Sequence, residues 1–424
     1  MRRRDPRASG ESRSPLRRHR ADYQILLYMG LLVIFGLIVI YSISPARVEM
    51  MNSGGDSALA QTHFMERQFL YLAVGLTAFF VAASVKLELW QKLSRHILLA
   101  GLVLSAFLSL LGLFMDGGII IKTNGAVRWY DLGFISFQPA ELLKFGLLLY
   151  GATFLGKKVA ENKVNSEQDT LLPMAVLVGV AVLLVIVLQK DMGTGLTLFG
   201  MVFAMLFAAG VHRKWLTIGL VASVGAGVLM VIFSPHRIAR VMTFFSASDV
   251  SDAASYHINQ ATIALGSGGL LGKGLGHGVQ AFGYLPEAVN DSIFAIVGET
   301  FGFVGSAVVL ILFAALLHRI LRVMEQTVSP TWRILTAGVF GMIATHVAVN
   351  VGAMTGVFPL TGVTLPFLSF GGTSLLFTMT MLGIVMAISR YTTHMDITKE
   401  AVRESPVRRR GVGRSRYASP RRHQ

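Results

Sequence analysis

Apolar stretches separated by short polar segments run through almost the whole chain, and they predict membrane-spanning helices. A helix needs about 20 apolar residues to cross the hydrocarbon core of a bilayer. The stretches of that kind are 23–44, 68–85, 96–115, 138–156, 171–189, 193–210, 214–233, 291–317, 333–354 and 373–390. A single broken helix is the alternative at 171–210, where Gln189, Lys190 and Asp191 interrupt the pattern. We therefore predict an all-α polytopic membrane protein with ten transmembrane helices.

Lysine and arginine in the short connections predict the orientation of these helices, because positively charged loops stay on the cytoplasmic side. The connections after the second, fourth, sixth and eighth spans carry such residues, namely Lys86, Lys92, Arg95, Lys157, Lys158, Lys163, Arg213, Lys214, Arg319 and Arg322. An even number of spans then places both termini in the cytoplasm. The outer face receives the connections 45–67, 116–137, 234–290 and 355–372 and the short turn near Lys190. We expect the first span to remain in the protein, because it is too long for the core of a signal peptide.

The composition agrees with a membrane protein and excludes several kinds of site. Hydrophobic residues make up 53% of the chain and charged residues 14%, and the mean hydropathy is +0.60. These values are typical of an integral membrane protein rather than a soluble globule. The chain has no cysteine, which excludes a disulfide scaffold, a thiolate zinc site, an iron–sulfur cluster and a cysteine nucleophile.

The net charge of +15 lies largely in the two ends of the chain. Residues 1–22 and the segment from Arg390 onward hold eighteen of the 38 lysines and arginines, among serine, proline and glycine. We interpret 1–22 and 391–424 as disordered cytoplasmic tails that flank a membrane domain at 23–390. Such tails fix orientation and contact anionic membrane lipids. Nucleic acid is not the expected partner, because no aromatic-interleaved binding module accompanies the arginines.

Two carboxylates mark the outer boundary of the eighth predicted span. Glu287 and Asp291 stand in the sequence YLPEAVNDSIFAIVGE, and ionisable groups at such a boundary indicate a functional site. They are four residues apart, so both project toward one point if the helix extends back to Glu287. The alternative is that Asp291 only caps the helix and interacts favourably with its dipole. Glu299, two turns further on, is interpreted as a polar contact inside the bundle.

The preceding segment, GSGGLLGKGLGHG, invites comparison with a phosphate-binding loop. It lacks the Walker pattern, because Ser267 and Gly274 occupy the positions that require glycine and Ser/Thr. Its backbone N–H groups could nevertheless hold a pyrophosphate, with Lys273 as an additional positive charge.

Further polar residues cluster in the other outer connections. Arg128 and Trp129 lie among glycines, and Lys190 and Asp191 stand at the outer end of the fifth span. Lys190 could face an anionic head group with Asp191 orienting it, or the two could form an ordinary helix terminus.

Glu141 and Lys144 are three residues apart, and we interpret them as an ion pair that holds the fourth span in the bundle. His346 and Asn350, one turn apart, are interpreted as polar contacts between helices.

The last outer segment has two prolines, several glycines and no charge, so it is not a regular span. Non-helical backbone at membrane depth occurs only where it is buried in protein or lines a cavity. We expect this segment to close a groove and to offer the hydroxyls of Ser369, Thr373 and Ser374 to it.

Taken together, these motifs resemble the SEDS family (shape, elongation, division and sporulation proteins) from the first span to the last. They are GAVRWYDLGFISFQPAELLK, KDMGTG, INQATIALGSGGLLGKGLGHG, YLPEAVNDSIFAIVGE and TGVFPLTGVTLPFLSFGGTSLL. The resemblance implies a ten-helix bundle that polymerises lipid II, the lipid-linked precursor of peptidoglycan, on the outer face of the bacterial cytoplasmic membrane. It also implies a class B penicillin-binding protein as a partner. The long basic tails and the form LPFLSFGG favour the division branch over the elongation branch.

The resemblance also assigns family positions to individual residues of this chain. It places the key acidic residue of the family at Asp291, its Arg-Trp pair at Arg128 and Trp129, and its lysine at Lys144. The chain departs from the family at Lys190, where proline is usual, at Val289-Asn290, where His-Thr is usual, and at Phe370. Because of the departure at Lys190, the resemblance does not by itself give Lys190 and Asp191 the role that this motif has in the family.

The expected mechanism follows from the needs of glycosyl transfer. Asp291, with Glu287 as the second candidate, would remove the proton of the acceptor hydroxyl. Arg128, Lys144 or Lys273 would stabilise the leaving pyrophosphate, with a divalent cation as an open alternative and no cofactor otherwise expected. A flippase for the lipid-linked precursor is the alternative function, and a scaffold whose tails recruit cytoplasmic proteins is another. The gathering of polar residues on one face favours the enzyme.

Overall fold

A computed structural model describes residues 21–53, 59–115, 117–123, 126–133, 135–232 and 253–391. Eleven α-helices lie in these ranges: α1 (Tyr23–Ser53), α2 (His63–Ser84), α3 (Leu87–Phe114), α4 (Pro139–Ala160), α5 (Leu172–Val182), α6 (Met192–Ala209), α7 (Arg213–Ile232), α8 (Ala253–Ser267), α9 (Ile293–Gln326), α10 (Pro330–Met354) and α11 (Gly372–Ser389). Helix α5 is continued at both ends by π-helical turns, Glu167–Leu171 and Leu183–Leu188. Residues 1–20 of the predicted tail 1–22, residues 392–424 of the predicted tail 391–424 and residues 234–252 of the predicted loop 234–290 lie outside the described residues.

The all-α membrane fold is confirmed. Among the described residues, eight helical segments are long and apolar enough to cross a membrane, and they correspond to eight of the predicted spans. Helices α4 and α7 cover the other two predicted stretches but do not meet the same criteria, so the count of ten stays a prediction. The interruption at Gln189, Lys190 and Asp191 separates two helical elements, because α6 begins at Met192 with Asp191 as its N-cap.

Contacts at the helix ends agree with the predicted orientation. On the side assigned to the cytoplasm, the Arg319 guanidinium of α9 pairs with Asp22 just before α1, and the Asp22 N–H donates to Ser389 at the end of α11. Asn165 joins the connection after α4 to that after α6 through Gly210 and His212. The segments that contact each other at this end are those that the lysine and arginine pattern places on one side.

The bundle is held by close helix packing in which glycine allows backbones to approach. A Cβ added at Gly101 of α3 would lie 2.7 Å from the backbone of Leu143 in α4. One added at Gly341 of α10 would lie 2.6 Å from the backbone of Gly200 in α6. Such small-residue interfaces are usual between membrane helices, where dispersion contacts drive association.

Two elements on the outer face were not predicted from the sequence. Strands β1 (Ile120–Thr123), β2 (Ala126–Asp131) and β3 (Ser136–Phe137) form a small antiparallel sheet in the order β1-β2-β3. Its apolar side packs on α3, where the hydroxyl of Tyr130 donates to the carbonyl of Leu104 at 2.9 Å. The second element is α8, which lies within the predicted outer loop 234–290.

Candidate active site

Asp291 lies at the outer end of α9, two residues before the first residue of the helix, Ile293. It belongs to the acidic turn, residues 286–292, and its side chain is half-buried. It borders a narrow recess lined by Asp291, Asn350, Ala353, Met354, Leu360, Thr361, Gly362 and Val363. The Oδ2 atom faces Gly362, where an added Cβ would lie 3.9 Å away. The helix N-terminus beside it interacts favourably with a negatively charged side chain.

The acidic turn does not continue the helix back to Glu287. Glu287 has a φ of +50°, and its carbonyl accepts hydrogen bonds from the N–H groups of Asn290 and Ser292 at 2.9 and 3.2 Å. Its side chain is exposed and accepts a hydrogen bond from the amide of Asn290. Because the helix does not extend back to Glu287, Glu287 and Asp291 do not lie on one helix face.

Asn350 of α10 fixes the position of Asp291 from the other side. Its side-chain amide donates to the carbonyl of Asp291 and to the carbonyl of Val363, each at 2.7 Å. Val363 belongs to the proline segment, residues 355–371, which is non-helical as expected. The N–H of Phe370 in that segment donates to the carbonyl of Val289 at 2.8 Å. The proline segment and the acidic turn thus form one wall of the recess.

The glycine-rich loop, residues 268–280, packs backbone to backbone on α9. Helix α9 is interrupted at Gly302, which has a φ of 66° and a ψ of −161°. The N–H groups of Lys273 and Gly274 donate to the carbonyls of Glu299 and Thr300 at 2.9 and 3.0 Å. Most of the N–H groups considered for a pyrophosphate are therefore bonded within the protein, and the glycines serve close packing.

Glu299 anchors that loop with its side chain. It is fully buried, and its Oε1 accepts from Lys273 Nζ and from the N–H of Val279, both at 2.9 Å. The N–H of Gln280 completes the set, 3.2 Å from Oε2. Lys273, proposed from the sequence as a pyrophosphate contact, thus lies beside a buried counter-charge and remains 32% exposed.

A polar cluster joins four elements at another part of the outer face. Arg128 of β2 donates through Nη2 to the carbonyl of Lys190 at 2.8 Å. Asp191 caps α6 by accepting from the N–H and hydroxyl of Thr194, at 3.0 and 2.8 Å. Its Oδ2 also accepts from Gln138 Nε2 at 3.0 Å, and Gln138 occupies the N-cap position of α4.

Trp129, next to Arg128, is half-buried and pairs with Ile121 across the two strands. Thr373, in the first turn of α11, donates to the carbonyl of Ser136 at 2.9 Å and accepts from the N–H of Gln138. The N-termini of α4, α6 and α11 therefore meet near Arg128. Ser369 is buried in the proline segment and accepts from the N–H of Leu365 at 2.8 Å.

The two regions are adjacent parts of one surface. Gly193 in the first turn of α6 contacts the proline segment, since an added Cβ would lie 2.7 Å from the carbonyl of Thr361. Thr361 also lines the recess of Asp291. The proline segment thus connects the Arg128 cluster to the carboxylate.

Lys144 lies inside the bundle. Its ammonium is fully buried, 2.8 Å from Glu141 Oε1, which is the ion pair that the spacing predicts. Its Nζ also lies 3.4 Å from His346 Nε2, while His346 Nδ1 lies 3.1 Å from the carbonyl of Thr364. A carbonyl only accepts and an ammonium only donates, so His346 carries its proton on Nδ1. This network links α4, α10 and the proline segment.

No group of three His, Cys, Asp or Glu side chains suited to a metal occurs within the described ranges. A divalent cation at this site would therefore need oxygen ligands from the substrate as well as from Asp291 or its neighbours.

A protein-family model described as "Cell cycle protein", which comprises FtsW, RodA and SpoVE, matches residues 23–394. The chain belongs to this family. It is the SEDS family that the motifs resemble, and the match includes the carboxylate, the Arg128 cluster and the proline segment. The relatives and solved structures similar to this chain agree with the assignment.

Stage V sporulation protein E of Bacillus subtilis is 33% identical over 374 residues, which cover 88% of this chain and 98% of the relative. The probable peptidoglycan glycosyltransferase FtsW of Coxiella burnetii is 35% identical over 334 residues, 78% of this chain and 87% of the relative. These names confirm the expected class, a multi-pass peptidoglycan glycosyltransferase of the bacterial cytoplasmic membrane. They support the enzyme rather than the flippase.

Solved structures show the same fold. A chain from the structure of a peptidoglycan synthase complex, in which polymerization and crosslinking are coordinated, has a TM-score of 0.70 at 27% identity. The match covers 87% of this SEDS protein and 98% of that chain. Rod shape determining protein RodA of Thermus thermophilus has a TM-score of 0.63 at 27% identity, with 88% and 98% covered.

Several residues of the site could not be found from spacing, hydropathy or charge in the sequence. Ser292 and His257 form a hydrogen bond between the acidic turn and α8, and neither stands out by spacing. Gln138 was noted only as the start of a helix. Its place before Pro139 is a helix N-terminus signal, and that signal gives no indication of its bond to Asp191.

Proposed function

We propose that this SEDS glycosyltransferase polymerises lipid II with Asp291 as the general base. The observation that carries the proposal is the half-buried carboxylate held at the outer end of α9, at the edge of a recess. Asn350 and the acidic turn hold its backbone, so its side chain is directed by the fold rather than by a mobile loop. A base within hydrogen-bond reach of the reacting hydroxyl contributes about 10²- to 10⁴-fold to the rate.

The proposed step is a single displacement at the anomeric carbon. The acceptor sugar hydroxyl forms the new carbon–oxygen bond, and its proton passes to the Asp291 carboxylate. The bond between that carbon and the lipid pyrophosphate breaks, and the leaving pyrophosphate takes the electron pair. Attack from the face opposite the leaving group inverts the configuration at the carbon.

Arg128 is the cation that we assign to the leaving pyrophosphate. It is half-buried on the outer face, and its Nη2 is oriented by the carbonyl of Lys190. The N-termini of α4, α6 and α11 converge beside it, and the positive ends of their helix dipoles favour an anion. Preorganised positive charge of this kind stabilises the transition state. Trp129 and Lys190 flank this position and are assigned to substrate binding with it.

The other candidate groups are assigned supporting roles. Lys144 and Lys273 are each paired with a buried glutamate, so their charges are already compensated inside the protein. Asp191, Ser369 and Thr373 are buried and hold helix and segment ends in place. Their proposed contribution to substrate binding is to shape the surface around Arg128.

A class B penicillin-binding protein is the proposed partner, which would crosslink the strand that this chain makes. The support is the similarity to a chain from a peptidoglycan synthase complex in which polymerization and crosslinking are coordinated. The acidic turn and the glycine-rich loop lie on the outer face, and such a partner would have access to the site from there.

The test is the polymerisation of lipid II by the purified full-length chain with and without the partner. Asp291→Asn keeps the shape of the side chain but removes the base, and we expect a loss of at least about 10²-fold. Matched controls are Glu287→Gln in the same turn and Asp131→Asn, an exposed carboxylate on the outer face whose Oδ1 caps a turn. Both controls should retain most of the activity.

Wild-type rates for Asp291→Asn would refute the assignment. Loss of activity in Glu287→Gln with retention in Asp291→Asn would transfer the role to Glu287. Repeating the assay with added chelator measures whether a divalent cation contributes.

A further inference from the structure

His257 and Ser292 form a hydrogen bond that joins helix α8 to the acidic turn. His257 Nε2 lies 2.6 Å from Ser292 Oγ, although the residues are 35 positions apart. Ser292 is fully buried and His257 is half-buried. The proposed chemistry uses neither side chain.

The other contacts of Ser292 determine the direction of this bond. A serine hydroxyl has one proton to donate, and it can also accept. Ser292 Oγ lies 2.8 Å from the carbonyl of Pro286, which can only accept. The serine proton therefore goes to Pro286, and His257 must donate through an Nε2–H group.

Ser292 contacts the catalytic carboxylate as well. Its Oγ lies 3.4 Å from Asp291 Oδ1, and its N–H donates to the carbonyl of Glu287 at 3.2 Å. The bond to Pro286 closes the turn that carries Asp291, and it keeps the serine proton away from the carboxylate. The state of the Ser292 hydroxyl thus affects both the position and the basicity of Asp291.

We infer that His257 is a positioning residue for Asp291 and acts through Ser292. The inference rests on the proposed role of Asp291 as the base. Without the Nε2–H donor, the Ser292 hydroxyl can rotate from Pro286 toward Asp291 Oδ1. A carboxylate that accepts this extra hydrogen bond is a weaker base, because hydrogen bonding favours its charged form. The effect falls on the chemical step rather than on substrate binding.

The test compares kcat and KM for lipid II among variants of the full-length chain with its partner. We expect His257→Leu to lose about five- to tenfold in kcat, the size of one hydrogen bond, with KM changed by less than about twofold. His257→Gln should recover most of the rate, because its amide can donate in the same place. In the Ser292→Ala background, His257→Leu should have no further effect, because the acceptor is gone.

The controls are a second histidine and the melting temperature. His277 lies exposed in the glycine-rich loop, and His277→Leu should keep the wild-type rate. His257→Leu and His257→Gln should differ in rate more than in melting temperature. A parallel loss of stability and activity without rescue by glutamine would overturn the inference in favour of a packing role.

Inclusion of Asp291→Asn separates the two proposals. An inactive Asp291→Asn together with a fully active His257→Leu overturns the positioning role and leaves the proposed function standing. An active Asp291→Asn overturns the proposed function, and the positioning role with it.

Discussion

Removal of the Glu299 carboxylate should release the glycine-rich loop from α9. The Glu299→Ala substitution deletes the acceptor for Lys273 Nζ and for the N–H groups of Val279 and Gln280. The backbone bonds from Lys273 and Gly274 to the carbonyls of α9 stay available. The loop should therefore loosen first at its C-terminal part, next to the acidic turn.

The size of the effect follows from the burial of each group. The N–H of Gln280, a buried residue, costs about 1–3 kcal/mol when it is left without an acceptor, and that of Val279, a residue 50% exposed, costs less. Lys273 is 32% exposed, so its ammonium can hydrate, and loss of the ion pair adds no more than about 1 kcal/mol. A cavity of about 10 Å³ beside Glu299 has room for about one water molecule, which reduces the total. We expect loop opening to become easier by about 2–4 kcal/mol, or roughly 30- to 1,000-fold.

Amide hydrogen exchange of the detergent-solubilised protein measures this directly, because exchange of a hydrogen-bonded amide requires local opening. Peptides that cover 272–280 should exchange faster by that factor, while peptides from α10 should not change. The matched control is Glu325→Ala, an exposed glutamate on the same helix. Unchanged exchange at 272–280 in Glu299→Ala would refute the anchoring role of this carboxylate.

Three further substitutions test the packing of the bundle by thermal melting of the solubilised protein. Gly302→Ala should destabilise by at least about 2 kcal/mol, because φ is positive and the new Cβ would lie 2.4 Å from backbone of the glycine-rich loop. Gly219→Ala in α7, where no neighbouring element among the described residues comes within 4 Å of an added Cβ, should be neutral or slightly stabilising. Lys144→Met leaves the Glu141 carboxylate buried without its partner and should cost about 3–5 kcal/mol. A Lys144 variant of wild-type stability without activity would instead place Lys144 in the chemistry.

The sequence by itself determined the features that depend on local free energies. Partition of a helix into a bilayer depends on about 20 consecutive residues, and so the spans and the orientation could be predicted from apolar length and from lysine and arginine. The Glu141–Lys144 ion pair was predictable for the same reason, because i,i+3 neighbours share a helix face. Asp291 stood out as an acidic residue where an apolar span begins.

The tertiary structure alone decided which polar groups meet. Glu299 pairs with Lys273 across 26 positions, and this pairing anchors the glycine-rich loop to α9. Arg128 meets Lys190, and His257 meets Ser292, across 62 and 35 positions. Such pairs leave no periodicity in the chain, because they depend on how helices pack and on where non-helical backbone closes between them. Glu287 shows the same limit, since a positive φ in the acidic turn removed it from the helix face that its spacing implied.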